Sequence, residues 1–197
     1  MADPTARAAP RARRFDPDRR DLILLTTLEI ITEVGTGAMT QRRVAAAADV
    51  PLGSVTYHFP TRDDLVHAAF ARFVDEQNAI FGRTFGAITT REELFAATVA
   101  LVDGGPGRGR AAVLGFELHL AALRDPRMRD LTAAWTAASR AVLARLLHPA
   151  AAADLDAYLE GLILHSLVSP SPVPVEETRT SIARFLQTVD DHPRRSP

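Results

Sequence analysis

The chain of 197 residues is 47% hydrophobic, enough for a buried core without covalent staples, and carries a formal net charge of -1. It has no cysteine, which excludes disulfides, thiolate metal sites and thiol redox sensing. No uncharged apolar run is long enough for a membrane span, and the amino terminus lacks a secretory leader pattern, so a cytoplasmic protein with no membrane partner is expected. All 23 basic residues are arginine, and residues 1–62 hold nine of them against seven acids, whereas the remainder hold fourteen against seventeen. This mild asymmetry places the basic end beside the motif described below.

Residues 1–16, "MADPTARAAPRARRFD", mix proline, alanine and arginine without apolar periodicity and read as a disordered basic arm. Leu22, Leu25, Leu28, Ile30, Ile31 and Val34 then recur at helical spacing and predict a first helix over about 18–34, closed by the glycines of "GTG". Thr40 stands where an N-cap belongs, before the helix former "QRRVAAAA". A short third helix runs from about Leu52 to His58, and Pro60 stops it. Thr61 caps a fourth, whose pattern from Leu65 through Phe70, Phe73 and Phe81 carries it to about residue 82.

Four more helical patterns follow, over 90–103, 109–124, 127–147 and 153–168, divided by "DGGPGRG", Asp125-Pro126 and Pro149. After the rigid link "SPSPVP", residues 176–189 form a last amphipathic helix, and 191–197 read as a frayed, disordered tail. No segment alternates with period two, so the fold class is all-α with about nine helices. The expected organisation is a helix-turn-helix domain over 17–62, and a helical domain over 63–190 entered by the long fourth helix.

Residues 40–59 have the spacing of a helix-turn-helix. Val44, Ala45, Val50, Val55 and Phe59 supply a small core that fixes the crossing of its two helices. Leu52, Gly53, Ser54, Thr56, Tyr57 and His58 then remain outward on the second helix. Hydroxyls meet base edges, Gly53 admits close backbone approach, and Leu52 or the Thr56 methyl suits a thymine methyl. Thr40, Gln41, Arg42, Tyr57 and His58 are placed for phosphates. The same spacing also fits a small tri-helical core with a solvated arginine face.

The run "TQRRVAAAADVPLGSVTYHFPTRDDLV", following "GTGAMT", resembles the DNA-binding domain of the tetracycline-repressor (TetR) family of bacterial regulators. The matching features are the threonine-capped helix with Val44-Ala45, the turn ending in Val50, Gly53, the Tyr57-x-Phe59 pair and Thr61-Arg62-Asp63-Asp64-Leu65. They cover residues 18–66. Asp49 stands where the family often has glycine, Pro51 where it often has a serine or threonine cap, and Arg62 where lysine is usual.

The resemblance implies a homodimer on palindromic operator DNA that represses transcription until a small-molecule effector binds. It also implies a phosphate contact from Arg62 and an effector cavity among the middle helices. Phe95, Val99, Phe116, Glu117, Leu120, Trp135, Tyr158, Leu162 and His165 are the expected ligand residues, with Val102, Leu114 and His119 nearby. Phe70, Phe73 and Phe81 on the fourth helix are expected to sense the pocket. Family dimers pair their last two helices, which implicates Leu155, Leu159, Gly161, Ile163, Ser166, Ile182, Phe185, Leu186 and Val189.

Glu117 and His119 lie two apart on a helix, point to different faces and make a poor metal pair, so no metal is expected. No nucleophile motif, glycine-rich phosphate loop or cofactor signature occurs, so neither an enzyme nor a cofactor is expected. The alternative is a helical small-molecule carrier or enzyme that retains a degenerate DNA-binding unit.

Overall fold

The structure, a computed structural model, describes residues 17–104, 107–171 and 173–190, with the backbone alone at Pro17, Val189 and Asp190. The basic arm and the tail expected at 1–16 and 191–197 lie outside these residues. Among those described, the chain forms nine helices and no strand: α1 Pro17–Ala38, α2 Gln41–Ala47, α3 Leu52–His58, α4 Arg62–Gly86, α5 Arg91–Asp103, α6 Arg108–Ala122, α7 Pro126–Leu143, α8 Pro149–Val168 and α9 Val175–Asp190.

The first three helices are held by local chemistry. Thr40 caps α2 by accepting from the Arg43 amide at 3.2 Å. The helix ends in a Schellman turn in which the Val50 amide donates to the Ala45 carbonyl at 3.0 Å and the Asp49 amide to Ala46 at 3.3 Å. That turn puts Asp49 at φ 51, the left-handed conformation in which the family resemblance expects glycine. Pro51, at φ -58, needs no amide proton where it precedes α3. Val44, Ala45, Val55 and Phe59 are buried together, as their spacing predicts.

The core of this region does not stop at α3. It takes in Leu65 to Val74 of α4, Leu114, Leu118 and Ala122 of α6, and Met128 of α7. The expected boundary at 62/63 therefore falls inside one continuous core. A second core joins Phe85 of α4, Leu94, Val99 and Val102 of α5, Leu143 of α7, Leu155 and Leu159 of α8, and Ile182 and Leu186 of α9. Helix α4, about 37 Å long for its 25 residues, spans both.

Several boundaries differ from the sequence expectation for identifiable reasons. Gly35 takes φ 76 as expected, yet one more helical turn follows it to Ala38. Ile23, Leu24 and Thr27 face the core with Leu28, Ile30 and Ile31, while Leu22 and Val34 are exposed, so the apolar stripe is rotated from the one expected. Helix α4 continues to Gly86 because Phe85 is buried and stacks on Phe81 at 4.3 Å between centroids. Pro149 starts α8 instead of separating two helices, since its fixed φ suits a first helical turn. Helix α7 stops at Leu143, where Arg145 turns out to reach the Gly86 carbonyl at 2.9 Å.

Asp49→Gly should remove the left-handed strain while keeping both Schellman hydrogen bonds. A gain of up to about 1 kcal/mol is expected, or about 2–4 °C in Tm, measured by thermal unfolding. An unchanged or lower Tm would show that glycine's unfolded-state entropy cancels the gain.

Candidate nucleic-acid interface and ligand cavity

The helix-turn-helix presents one exposed face. Leu52, Gly53, Thr56 and Tyr57 of α3 stand in solvent with Thr40, Arg42 and Arg43 of α2. Tyr57 is 74% exposed, unusual for an aromatic side chain one residue from a core. Ser54 and His58 are half-buried. The Thr56 hydroxyl bonds back to the Leu52 carbonyl at 3.3 Å, which leaves its methyl outward.

Two expected DNA contacts are instead internal. Gln41 donates through Nε2 to the Phe59 carbonyl at 2.6 Å and ties the start of α2 to the end of α3. Arg62 donates from Nε to the Met39 carbonyl at 3.0 Å, from Nη1 to Asp63 at 3.1 Å, and from Nη2 to the Thr36 carbonyl. Its guanidinium, still 39% exposed, thus satisfies carbonyls at the end of α1. Arg20, which the sequence reading passed over, lies 5.3 Å from the centroid of Phe59 and adds a cation to this end. Arg43, also unassigned from sequence, reaches the Ala38 carbonyl at 3.1 Å.

A cavity of about 440 Å³ lies between the two cores. Its walls are Gln77, Ile80, Phe81, Thr84 and Phe85 of α4; Ala97, Ala100 and Leu101 of α5; and Arg108, Ala111, Ala112, Gly115, Phe116 and His119 of α6. Trp135, Thr136, Ser139 and Leu143 of α7 and Asp156, Leu159, Glu160 and Ile163 of α8 complete it. The small residues of α5 and α6 leave the room. A Cβ on Gly115 would lie 3.1 Å from the Trp135 ring, so glycine there lets the indole close against α6.

Of the expected ligand residues, Phe116 and Trp135 line this cavity, as does His119. Val99 is packed in the second core with Phe95, Tyr158 and Leu162 beside it, Leu120 and His165 are exposed, and Glu117 points elsewhere. Helical spacing admitted each of them, but the rotation of α5, α6 and α8 is decided by packing. Phe81 lines the cavity, Phe73 meets Trp135 edge-on at 5.6 Å, and Phe70 is buried in the first core.

Four ionisable groups line the walls. Asp156 accepts from the Ser139 hydroxyl at 2.6 Å and from Arg140 Nε at 3.0 Å. Among the described residues Glu160 makes no ion pair with an arginine; its Oε1 is 3.7 Å from His119 Nε2. Burial pushes the Glu160 carboxyl above its ordinary 4.5, a shift that Asp156 reinforces and that His119 and Arg140 oppose. His119 in turn bonds through Nδ1 to the Gly115 carbonyl at 2.7 Å. Arg108 is the fourth group.

Glu117 faces the other way from its neighbours on α6. One oxygen accepts from both the Thr36 amide at 2.9 Å and the Thr36 hydroxyl at 2.7 Å. Phe116 and His119 on the same helix line the cavity, so α6 touches the cavity with one face and the segment before α2 with another. At the far end of α1–α4, Arg72 grips Asp21 through Nε at 2.5 Å and Nη2 at 3.1 Å, which lowers the Asp21 carboxyl's pKa.

The expected dimer residues divide. Leu155, Leu159, Ile182 and Leu186 are buried in the second core and cannot also face a partner. Ile163 lines the cavity, Ser166 accepts from Arg108 at 2.5 Å, and Phe185 stacks on Tyr158 at 4.6 Å. The side chain of Val189 lies outside the described residues. The exposed residues of α8 include Ala157, Leu164 and Val168, in one row with half-buried Gly161, and also His165 and Leu167. A Cβ on Gly161 would meet nothing within 4 Å.

Two family models match the chain: bacterial regulatory proteins of the tetR family over residues 23–69, and the tetracyclin repressor-like C-terminal domain over residues 89–188. The fold is similar to that of SCO7518 from Streptomyces coelicolor A3(2), with TM-score 0.76 and 40% identity over 86% of this chain and 98% of that one. It is also similar to the multidrug binding protein EbrR complexed with ethidium, with TM-score 0.69 and 34% identity over 85% and 98% of the two chains. EbrR complexes with malachite green and proflavin match as well. Among sequences, the HTH-type transcriptional regulator BetI 1 of Chromohalobacter salexigens is 25% identical over 178 residues, 84% of this chain and 87% of that protein.

Arg42→Ala and Tyr57→Ala should each weaken binding to duplex DNA by about tenfold while leaving Tm within a degree or two, since both side chains are exposed. Arg62→Ala should instead lower Tm, because it orphans the Thr36 and Met39 carbonyls at about 1–3 kcal/mol. Fluorescence anisotropy and thermal unfolding on the same preparations separate the two roles, and equal Tm losses in all three would contradict them.

Proposed function

This chain belongs to the tetracycline-repressor family of bacterial transcriptional regulators, and from that premise we propose how its own residues bind DNA and release it. It is a DNA-binding regulator that answers to a small molecule. The reading face is Leu52, Gly53, Ser54, Thr56 and Tyr57 of α3, with Thr40, Arg42 and Arg43 on phosphates. Affinity drawn from arginine and phosphate falls steeply with salt. The intact exposed set on α2 and α3 tells against a carrier or enzyme with a degenerate DNA-binding unit.

Two copies pair through the row Ala157, Gly161, Leu164 and Val168 on α8, where small residues allow close approach, together with the outer face of α9. A two-fold dimer then presents its recognition helices about 34–36 Å apart, one turn of a palindromic operator. The effector occupies the cavity between the cores. Aromatic walls and the Glu160 carboxylate, which makes no ion pair with an arginine among the described residues, favour a flat aromatic cation. Ethidium, malachite green and proflavin, the ligands of the EbrR structures, are molecules of that kind.

The observation that carries release is the double hold of Glu117 on Thr36. A ligand that presses on Phe116, His119 or Trp135 displaces α6, and Glu117 passes that displacement to the segment that seats α2. Helix α4, which lines the cavity through Phe81 and Phe85 and begins at Thr61, moves with it.

Anisotropy titration with the DNA upstream of the protein's own gene should show salt-dependent binding that ethidium reverses. In Glu117→Ala the DNA should still bind, but the release by ethidium should shrink several-fold, the lost hydrogen bonds being worth about 1–3 kcal/mol. Full release in that variant would sink the coupling. Ethidium affinity itself should fall as pH drops through the raised pKa of Glu160, because the cation needs the ionised carboxylate, which His119, Asp156 and Arg140 face from the neighbouring positions. Glu160→Gln should bind ethidium about tenfold more weakly and lose most of that pH dependence, and an unchanged affinity would remove Glu160 from the site.

A further inference from the structure

Arg108 is the one group in the cavity wall that neither the DNA reading nor the cation reading uses. Its Nη2 donates to the Ser166 hydroxyl at 2.5 Å and its Nη1 to the Asp103 carbonyl at 3.4 Å, so no carboxylate meets it among the described residues. Its Nε is buried and has no hydrogen-bond partner there. The side chain is nevertheless firmly placed. Its stem runs directly over Gly104, at φ 73, where an added Cβ would fall 1.8 Å from Arg108 Cδ. Only glycine permits that path.

Arg108 is half-buried, and burial lowers its pKa from the ordinary value while the exposed Asp103 carboxylate opposes that only through space. A simple cation in the cavity would pair Glu160 and leave this second positive charge facing the same ligand. Ser166, which fixes Arg108, lies six residues beyond Glu160 on α8, about 9 Å along the helix axis. Arg108 and Glu160 thus line the same cavity, and neither has an opposite-charge arginine or carboxylate bonded to it among the described residues.

We propose that Arg108 is an anion subsite, and that the effector is an aromatic molecule bearing both a basic nitrogen and a carboxylate or like acidic group. The carboxylate accepts from the Nη groups of Arg108, beside the Ser166 hydroxyl. The flat body lies along Trp135 and Phe81, and the basic nitrogen faces Glu160. This rests on the cavity being the effector site, and narrows its ligand from a cation to a two-ended molecule.

The test uses tetramethylrhodamine as the free acid, a zwitterion, and its methyl ester, a plain cation of the same shape. Trp135 is the sole tryptophan of the sequence and lines the cavity, so quenching of its fluorescence reports occupancy by either dye. The full chain should bind the acid on the order of tenfold more tightly than the ester. Arg108→Met should erase that preference by weakening the acid, without weakening the ester or changing the circular dichroism spectrum, and Glu160→Gln should weaken both dyes alike. Equal binding of acid and ester by the unaltered protein, or a preference that survives in Arg108→Met, overturns the anion subsite and leaves the cavity reading standing. Failure of both dyes to quench Trp135 overturns the cavity reading and this inference with it.

Discussion

The grip of one carboxylate on one threonine organises the relation between the two ends of this protein. Glu117 accepts from the amide and the hydroxyl of Thr36, while the Thr36 carbonyl accepts from Arg62. All three polar groups of a single residue in the last turn of α1 are thus held, by α6 on one side and by the first residue of α4 on the other. The helix-turn-helix is consequently not a bead on a linker. Its orientation is set by two helices that also wall the cavity.

The division of the apolar interior into two cores gives that grip its meaning. A single well-packed core would transmit little, because every displacement would be resisted on all sides. Here Leu114 and Leu118 of α6 belong to the first core, and the cavity begins on the neighbouring faces of the same helix. Ala97, Ala100, Ala111, Ala112 and Gly115 keep the seam open at the expense of contacts that larger side chains would have made. The seam is stabilised by its edges, and it is the place where a ligand's own surface can replace missing contacts.

Charge follows the same division. Asp21 with Arg72, Asp64 with Arg127 and Asp156 with Arg140 are paired across helices, and their carboxylates are accounted for. Glu160 and Arg108, which both line the cavity, have no such arginine–carboxylate pair among the described residues. Polar groups that are left without a full partner inside an apolar slot are costly in the empty state, which is a reason for a folded protein to keep them only where something else completes them.

The amino-acid sequence by itself determined the helices, their order and the reading head. Those depend on short-range chemistry: Thr40, Thr61 and Thr90 as caps, Asp49 tolerating a left-handed turn, and Val44, Val55 and Phe59 at a spacing that closes only one way. The direction of each side chain on the seven longer helices was not legible, because apolar residues on α5, α6 and α8 surround the helix and leave its rotation open. Glu117 was read as a ligand contact, Arg62 as a phosphate contact, and Leu155 and Leu159 as dimer contacts. Tertiary packing alone turned Glu117 to Thr36 and Arg62 to the carbonyls at the end of α1, and sank the two leucines into the second core. It also brought Arg108 and Glu160, 52 residues apart in the chain, into one slot. Local hydrogen bonds can be read from neighbours in sequence; which face meets which is settled only when whole helices compete for the same buried volume.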